Sequence, residues 1–119
     1  MIVTVFRSRL EAEAQQDYVP MARRLGELAK TMPGYVSHKV FVAEDGERLT
    51  LVEFASEDGL QAWATHPGHV EAKRQGIRRL FACYRVQICK VIKDSGLRVR
   101  DARRASGASS VSDEVPSQP

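Results

Sequence analysis

The amino-acid sequence predicts an α+β fold: a ferredoxin-like β-α-β-β-α-β chain with an antiparallel sheet, two copies of which form a dimeric α/β barrel. Three observations point there. The hydrophobic period along residues 1–93 switches several times between the strand value of two and the helical value of about 3.6. An Asp-Gly pair in the middle of the chain marks a hairpin. Both faces of the strands are apolar, which is more surface than a chain of 119 residues can cover with its own helices.

Residues 2–9 are apolar and β-branched and form a first strand. From Glu11 the period becomes helical, with Tyr18, Met21, Leu25, Leu28 and Met32 on one stripe. Pro20 interrupts that stripe, so the helix either kinks there or starts afresh after Asp17, which can serve as an N-cap. Pro33-Gly34 supplies the stop and a turn. Tyr35–Val42 and Arg48–Ala55 read as paired strands joined through Asp45-Gly46. Ser56 can cap a helix that starts at Glu57 and carries Leu60 and Trp63 inward. His66-Pro67-Gly68 breaks that helix, a second piece runs from His69 to Leu80, and Cys83–Ile92 forms the last strand. The resulting order is the split-βαβ arrangement.

Alternation assigns faces to the strands. Val36, Val40 and Val42 fall on one side of the second strand, Tyr35 and Phe41 on the other. In the last strand Tyr84, Val86, Ile88 and Ile92 oppose Cys83, Cys89 and Val91. The economical cover for a second apolar face is another copy of the chain, sheet against sheet.

Composition narrows the function classes. A length of 119 residues excludes a multi-domain enzyme and any (β/α)8 barrel, which needs roughly 250 residues. The chain carries 18 basic and 15 acidic residues, a formal charge of +3. The basic residues are spread along the chain instead of forming a stripe, so no nucleic-acid partner is expected. No apolar run approaches the ~20 residues of a membrane span, and no membrane partner is expected. Near Met1 the charges of Arg7 and Arg9 follow the apolar run, which is not a signal-peptide pattern. Cys83 and Cys89 on one strand would stand ~20 Å apart, against the ~7 Å limit for a disulfide. Two reduced thiols suit a cytoplasmic location.

The composition changes at Asp94. Residues 94–119 contain only Leu97, Val99, Val111 and Val115 among large aliphatic residues, so a flexible tail is expected beyond a domain of residues 1–93. Arg98, Arg100, Arg103 and Arg104 form a basic cluster in that tail, either a contact for an anionic partner or a solvated linker.

The sequence most suggestive of chemistry is Trp63-Ala64-Thr65-His66-Pro67-Gly68-His69, at a helix break and followed by Arg78-Arg79. The alternatives are a core-anchoring Trp63 and a His66-Pro67 surface turn. His38, His66 and His69 lack metal-ligand spacing and a nearby carboxylate, so no metal is expected. A Walker loop, a G-x-G-x-x-G turn and a nucleophile elbow are all missing from the sequence, so an enzyme built on this chain is expected to work without a tightly bound organic cofactor.

Met32-Pro33-Gly34-Tyr35, the strand Leu49–Ala55, and Leu60-Gln61-Ala62-Trp63 with His66-Pro67-Gly68-His69 resemble the antibiotic biosynthesis monooxygenase family over residues 1–92. That resemblance implies a dimeric α+β barrel and, in one branch, cofactor-independent oxygenation of polycyclic phenols and quinols. Trp63 matches the helix tryptophan that lies in the substrate cavity of the polyketide oxygenases. The asparagine one turn before it is Gly59 here, and the tyrosine six residues after it is His69. The haem-degrading branch needs an asparagine on the first strand and a histidine about ten residues after the tryptophan. This chain has Phe6-Arg7-Ser8 and Ala72-Lys73-Arg74 there, so haem degradation is not implied.

The implied chemistry needs only O2 as co-substrate and an aromatic or quinol-like small molecule as partner. His69, or less directly His66, removes a phenolic proton, Trp63 stacks on the substrate, and Arg78 offers positive charge to reduced oxygen. Phe54, His38 and Phe81 complete the residues expected to face the substrate. The competing implication is a non-catalytic dimeric barrel that holds a hydrophobic metabolite, which the change to Gly59 favours.

Overall fold

The computed structural model describes residues 1–97. The elements are β1 (Ile2–Leu10), α1 (Gln15–Ala29), β2 (Tyr35–Val42), β3 (Arg48–Phe54), α2 (Glu57–Ala64), α3 (Pro67–Gln75) and β4 (Phe81–Lys90), with a π-helical turn at Gly76–Leu80 joining α3 to β4. Asp94–Leu97 carry no regular structure. The cluster Arg98, Arg100, Arg103 and Arg104, and most of the expected tail, lie outside the described residues.

The strands form one antiparallel sheet in the order β2-β3-β1-β4. It is an open sheet of the ferredoxin-like type, with β2 and β4 as its edges. The register puts Ile2, Thr4, Phe6 and Ser8 of β1 on the same face as Arg48, Thr50, Val52 and Phe54 of β3. The helices pack on that face. The opposite face presents Val3, Val5, Leu49, Leu51 and Phe41, interspersed with Arg7, Arg9 and Lys39.

α1 runs unbroken from Gln15, so Asp17 is not its N-cap. Ala14 occupies that position without a side-chain hydrogen bond. Asp17 instead lies in the first turn, where a carboxylate favours the positive end of the helix. Pro20 is tolerated within the helix because it forfeits a single backbone bond near the start. The expected stripe does face inward: Tyr18 is buried, and Met21, Leu25, Leu28 and Met32 are partly buried. It feeds two clusters, one at each end of the helix. Ala14 and Tyr18 pack with Leu80, while Ala29 packs with Phe54 and Trp63. Each large apolar side chain buried there contributes on the order of 1.5–3 kcal/mol.

The turn after α1 depends on Gly34, whose φ of +83° is open to glycine and strained for other residues. Its carbonyl accepts from the Ala55 amide at 2.7 Å, which ties the turn to the end of β3. In the β2–β3 hairpin Gly46 has a φ of +92°, and Asp45 Oδ1 accepts from the Glu47 amide at 3.0 Å. Arg7 donates twice to Glu47, at 2.9 and 3.0 Å, and Arg9 donates to Asp45 at 2.8 Å. These exposed pairs fasten the hairpin to β1, and the guanidinium hydrogen bonds hold both carboxyls below their ordinary pKa.

One face assignment is corrected. The β2–β3 register shifts between Tyr35 and Ser37, so Val36 is the extra residue of a bulge. Tyr35 therefore joins His38 on the helix-covered side, and Val36 is left 44% exposed. Strict alternation placed Tyr35 on the other face because it allows no inserted residue. The last strand also starts two residues earlier than expected, at Phe81, because a π-helical turn ends the preceding helix.

Candidate functional site

Ser56 is extended, and its side chain accepts from the Gly59 amide at 3.1 Å, which starts α2 as expected. Glu57 and Asp58 in the first turn add favourable charge. Gly59 lets this helix lie close to the preceding turn: a Cβ there would meet the Pro33 carbonyl oxygen at 2.8 Å and Phe54 Cδ1 at 3.3 Å. Any side chain at position 59, asparagine included, would push α2 away. The close approach seats Trp63, 6% exposed, against Phe54 and Ala29.

α2 ends at Ala64 because Pro67 cannot donate to the helix and biases the residue before it toward extended backbone. His66 takes that extended conformation and caps α3, its Nδ1 accepting from the Gly68 amide at 2.9 Å. Pro67 then occupies the first turn, where its missing N–H is harmless. The reversal folds His69 back onto Trp63. Their rings stack with centroids 4.6 Å apart and planes 26° from parallel, while His66 lies 6.2 Å from the same indole.

His69 is half-buried, and its Nδ1 is sealed from solvent without a hydrogen-bond partner. Burial lowers its pKa from 6.5. The carbonyls of Ala64 and Trp63 oppose that shift without reaching hydrogen-bonding geometry, and Lys73 reinforces it. The ring is thus neutral near pH 7, as a proton acceptor requires. On the same side of the sheet, Tyr84, Val86 and Ile88 of β4 are 42%, 44% and 64% exposed. The helices leave these β4 side chains uncovered. Thr4 Oγ1, opposite Ile88, is a further buried hydroxyl without a partner.

The other expected site residues are dispersed. Phe54 is fully buried and supports Trp63 from below, with no surface for a ligand, because it faces the helices at the centre of the core. His38 is tied at Nδ1 to the Tyr35 hydroxyl at 2.7 Å, faces Gly26 of α1, and has its pKa lowered by burial. Phe81 belongs to a separate aromatic group with Phe6, Tyr18 and Tyr84. Arg78 is exposed on the π-helical turn. A depression of about 350 Å³ lies on the helix-free face among Val5, Arg7, Phe41, Leu49 and Gln87, away from Trp63. Among the described residues no three His, Cys, Asp or Glu gather as a metal site, and Cys83 and Cys89 are free and exposed. Sequence reasoning passed over Arg48, although a charge in phase with Thr50, Val52 and Phe54 was a visible signal.

The family model for antibiotic biosynthesis monooxygenases matches residues 1–75, which include the β2–β3 hairpin, Trp63 and His69. The chain belongs to the antibiotic biosynthesis monooxygenase family. Solved structures share the family's fold at low identity. Rv0793 from Mycobacterium tuberculosis is 14% identical over 80% of this chain and 98% of its own, with a TM-score of 0.72. SnoaB from Streptomyces nogalater, a cofactor-independent oxygenase, is 12% identical over 78% of this chain and 94% of its own, with a TM-score of 0.68. A conserved protein from Methanosarcina mazei is 16% identical over 75% and 90%, also with a TM-score of 0.68. None of the curated proteins matches the chain. Among the described residues no helix is long and apolar enough to cross a membrane.

Proposed function

We propose that this family member is a cofactor-independent monooxygenase that oxidises an electron-rich phenol, hydroquinone or anthrone-like molecule with O2. The observation that carries the reading is the Trp63–His69 stack, which holds a neutral, half-buried imidazole at the break between α2 and α3. A flat substrate docks on the uncovered apolar strip of β4, and Trp63, its ring already covered by His69, holds that imidazole in place. His69 removes the phenolic or enolic proton. The resulting anion passes one electron to O2, and the radical pair joins to form a C–O bond. For an anthrone methylene, the O–O bond then breaks as the remaining C–H proton leaves. One oxygen stays as a quinone carbonyl, and the other departs as water with both hydrogens. The protein contributes orientation and exclusion of water. His66 keeps its capping role, and Arg78 remains a candidate for stabilising reduced oxygen.

The same reading has two copies of the chain meeting at the helix-free face, where Val3, Val5, Leu49 and Leu51 are incompletely covered, in the cytoplasm. One observation favours a second reading, a non-catalytic binder of a hydrophobic metabolite. The asparagine position of the oxygenases is Gly59, and its surroundings leave no room for a side chain.

Oxygen uptake with a panel of hydroquinones and anthrones, alongside quenching of Trp63 fluorescence, separates the two. Substrate-dependent uptake that His69→Ala abolishes, with the oligomeric state unchanged, supports the oxygenase. Quenching without uptake supports the binder, and uptake unaffected by His69→Ala removes His69 from the mechanism.

A further inference from the structure

Arg48 opens β3 at a helix-facing position, in line with Thr50, Val52 and Phe54, and is only 7% exposed. Its guanidinium carbon lies 5.1 Å from the centre of the Tyr18 ring. Nε and Nη2 are buried without hydrogen-bond partners among the described residues. The neighbouring carboxylates are committed elsewhere, Glu47 to Arg7 and Asp45 to Arg9. Ser8, directly opposite Arg48 on β1, is 2% exposed, and its Oγ is also buried and unpartnered. Arginine keeps its proton at any ordinary pH, so burial cannot neutralise it. A buried charge left unpaired is strongly unfavourable, and its complement is an anion.

We propose that Arg48 and Ser8 form a receptor for the carboxylate of a small aromatic acid. Nε and Nη2 share one edge of the guanidinium plane, the edge that donates two parallel hydrogen bonds to the two oxygens of a carboxylate. The Ser8 hydroxyl supplies a third donor. Val42, Arg48, Ser8 and Tyr84 form one row across the sheet. α1 covers its middle through Tyr18, while Val42 and Tyr84 at its ends are 57% and 42% exposed. Phe81 stands 5.9 Å from both Tyr18 and Tyr84, so flat apolar surfaces flank the row and select an aromatic acid. Arg48 precedes Phe54 by six residues, ~20 Å of strand. The receptor is therefore separate from the Trp63–His69 position and independent of the oxygenase reading.

The test is calorimetric titration of the full chain with sodium benzoate, with benzamide and sodium sulfate as controls at matched ionic strength. The Arg48 Nε–H resonance is followed in parallel. The expected result is benzoate binding at a single site that moves that resonance, no binding of benzamide, and no displacement by sulfate. Arg48→Met should weaken benzoate by at least ~30-fold, and Ser8→Ala by about tenfold. If Arg48→Met does not fold, Ser8→Ala and the wild-type resonance decide. The proposal is overturned if benzoate does not bind, if Ser8→Ala binds like wild type and the Arg48 resonance stays still, or if benzamide or sulfate matches benzoate.

Discussion

Replacing Gly59 with alanine tests how α2 is seated, and with it the position of Trp63. The new methyl would lie 2.8 Å from the Pro33 carbonyl oxygen, 3.3 Å from Phe54 Cδ1 and 3.5 Å from Gly34 Cα. The carbonyl has little freedom to retreat. It belongs to a turn in which Gly34 holds a positive φ and its own carbonyl is bonded to the Ala55 amide. Nor can Phe54 give way, since it is fully buried. Relief must come from α2 moving outward, which loosens the contact of Trp63 with Phe54. Overpacking of this kind costs about 1–3 kcal/mol. The gain in helix propensity from glycine to alanine offsets up to about 1 kcal/mol, and less near the helix start. With about half of that gain realised in the first turn, the net loss is about 0.5–2.5 kcal/mol, or a fall in Tm of roughly 2–20 °C for a domain of this size. Urea unfolding followed by the fluorescence of Trp63, the sole tryptophan, measures it directly. A Gly59→Ala protein as stable as wild type would refute the close approach of α2 to the Pro33 turn.

Three further outcomes are expected. Burial lowers the pKa of His69 and His38, so the unfolded chain binds more protons than the folded one below about pH 6.5. Their contribution to stability is complete above that pH and is lost as pH falls through the folded values. Denaturation midpoints should drop between pH 7 and 5, His69→Gln should flatten part of the drop, and a flat wild-type profile would contradict the burial argument. Ser56→Ala removes the acceptor for the Gly59 amide and should cost about 1 kcal/mol by thermal unfolding; an unchanged Tm would deny the cap its role. Leu51→Lys places a charge on the helix-free face where two copies are proposed to meet, and on that proposal light scattering should show a wild-type dimer and a Leu51→Lys monomer. A persistent dimer would move the interface elsewhere.

Much of the fold was legible because it rests on local chemistry. The stripe from Tyr18 to Met32 requires only helical spacing, the stop at Pro33-Gly34 only a left-handed glycine, and the start of α2 only a serine three residues before an amide it can bind. The break at His66-Pro67 was equally local. Its consequence was not, because the sequence shows a proline but not the angle at which the chain resumes. The angle is what brings His69 to 4.6 Å from Trp63 and seals its Nδ1.

The sequence by itself determined where the elements lie, which side of each helix turns inward, and the family to which the chain is similar. Periodicity and capping act between residues a few positions apart, so one chain read in order contains them. Packing decided the rest. The bulge at Val36 moved Tyr35 across the sheet to meet His38, since an inserted residue inverts alternation without any mark in the composition. Tyr18, distant in sequence, closed over Arg48 and buried a cation whose nearest acids had been drawn to the opposite face. Burial and charge pairing depend on every neighbour in space, and only the tertiary structure brings those neighbours together.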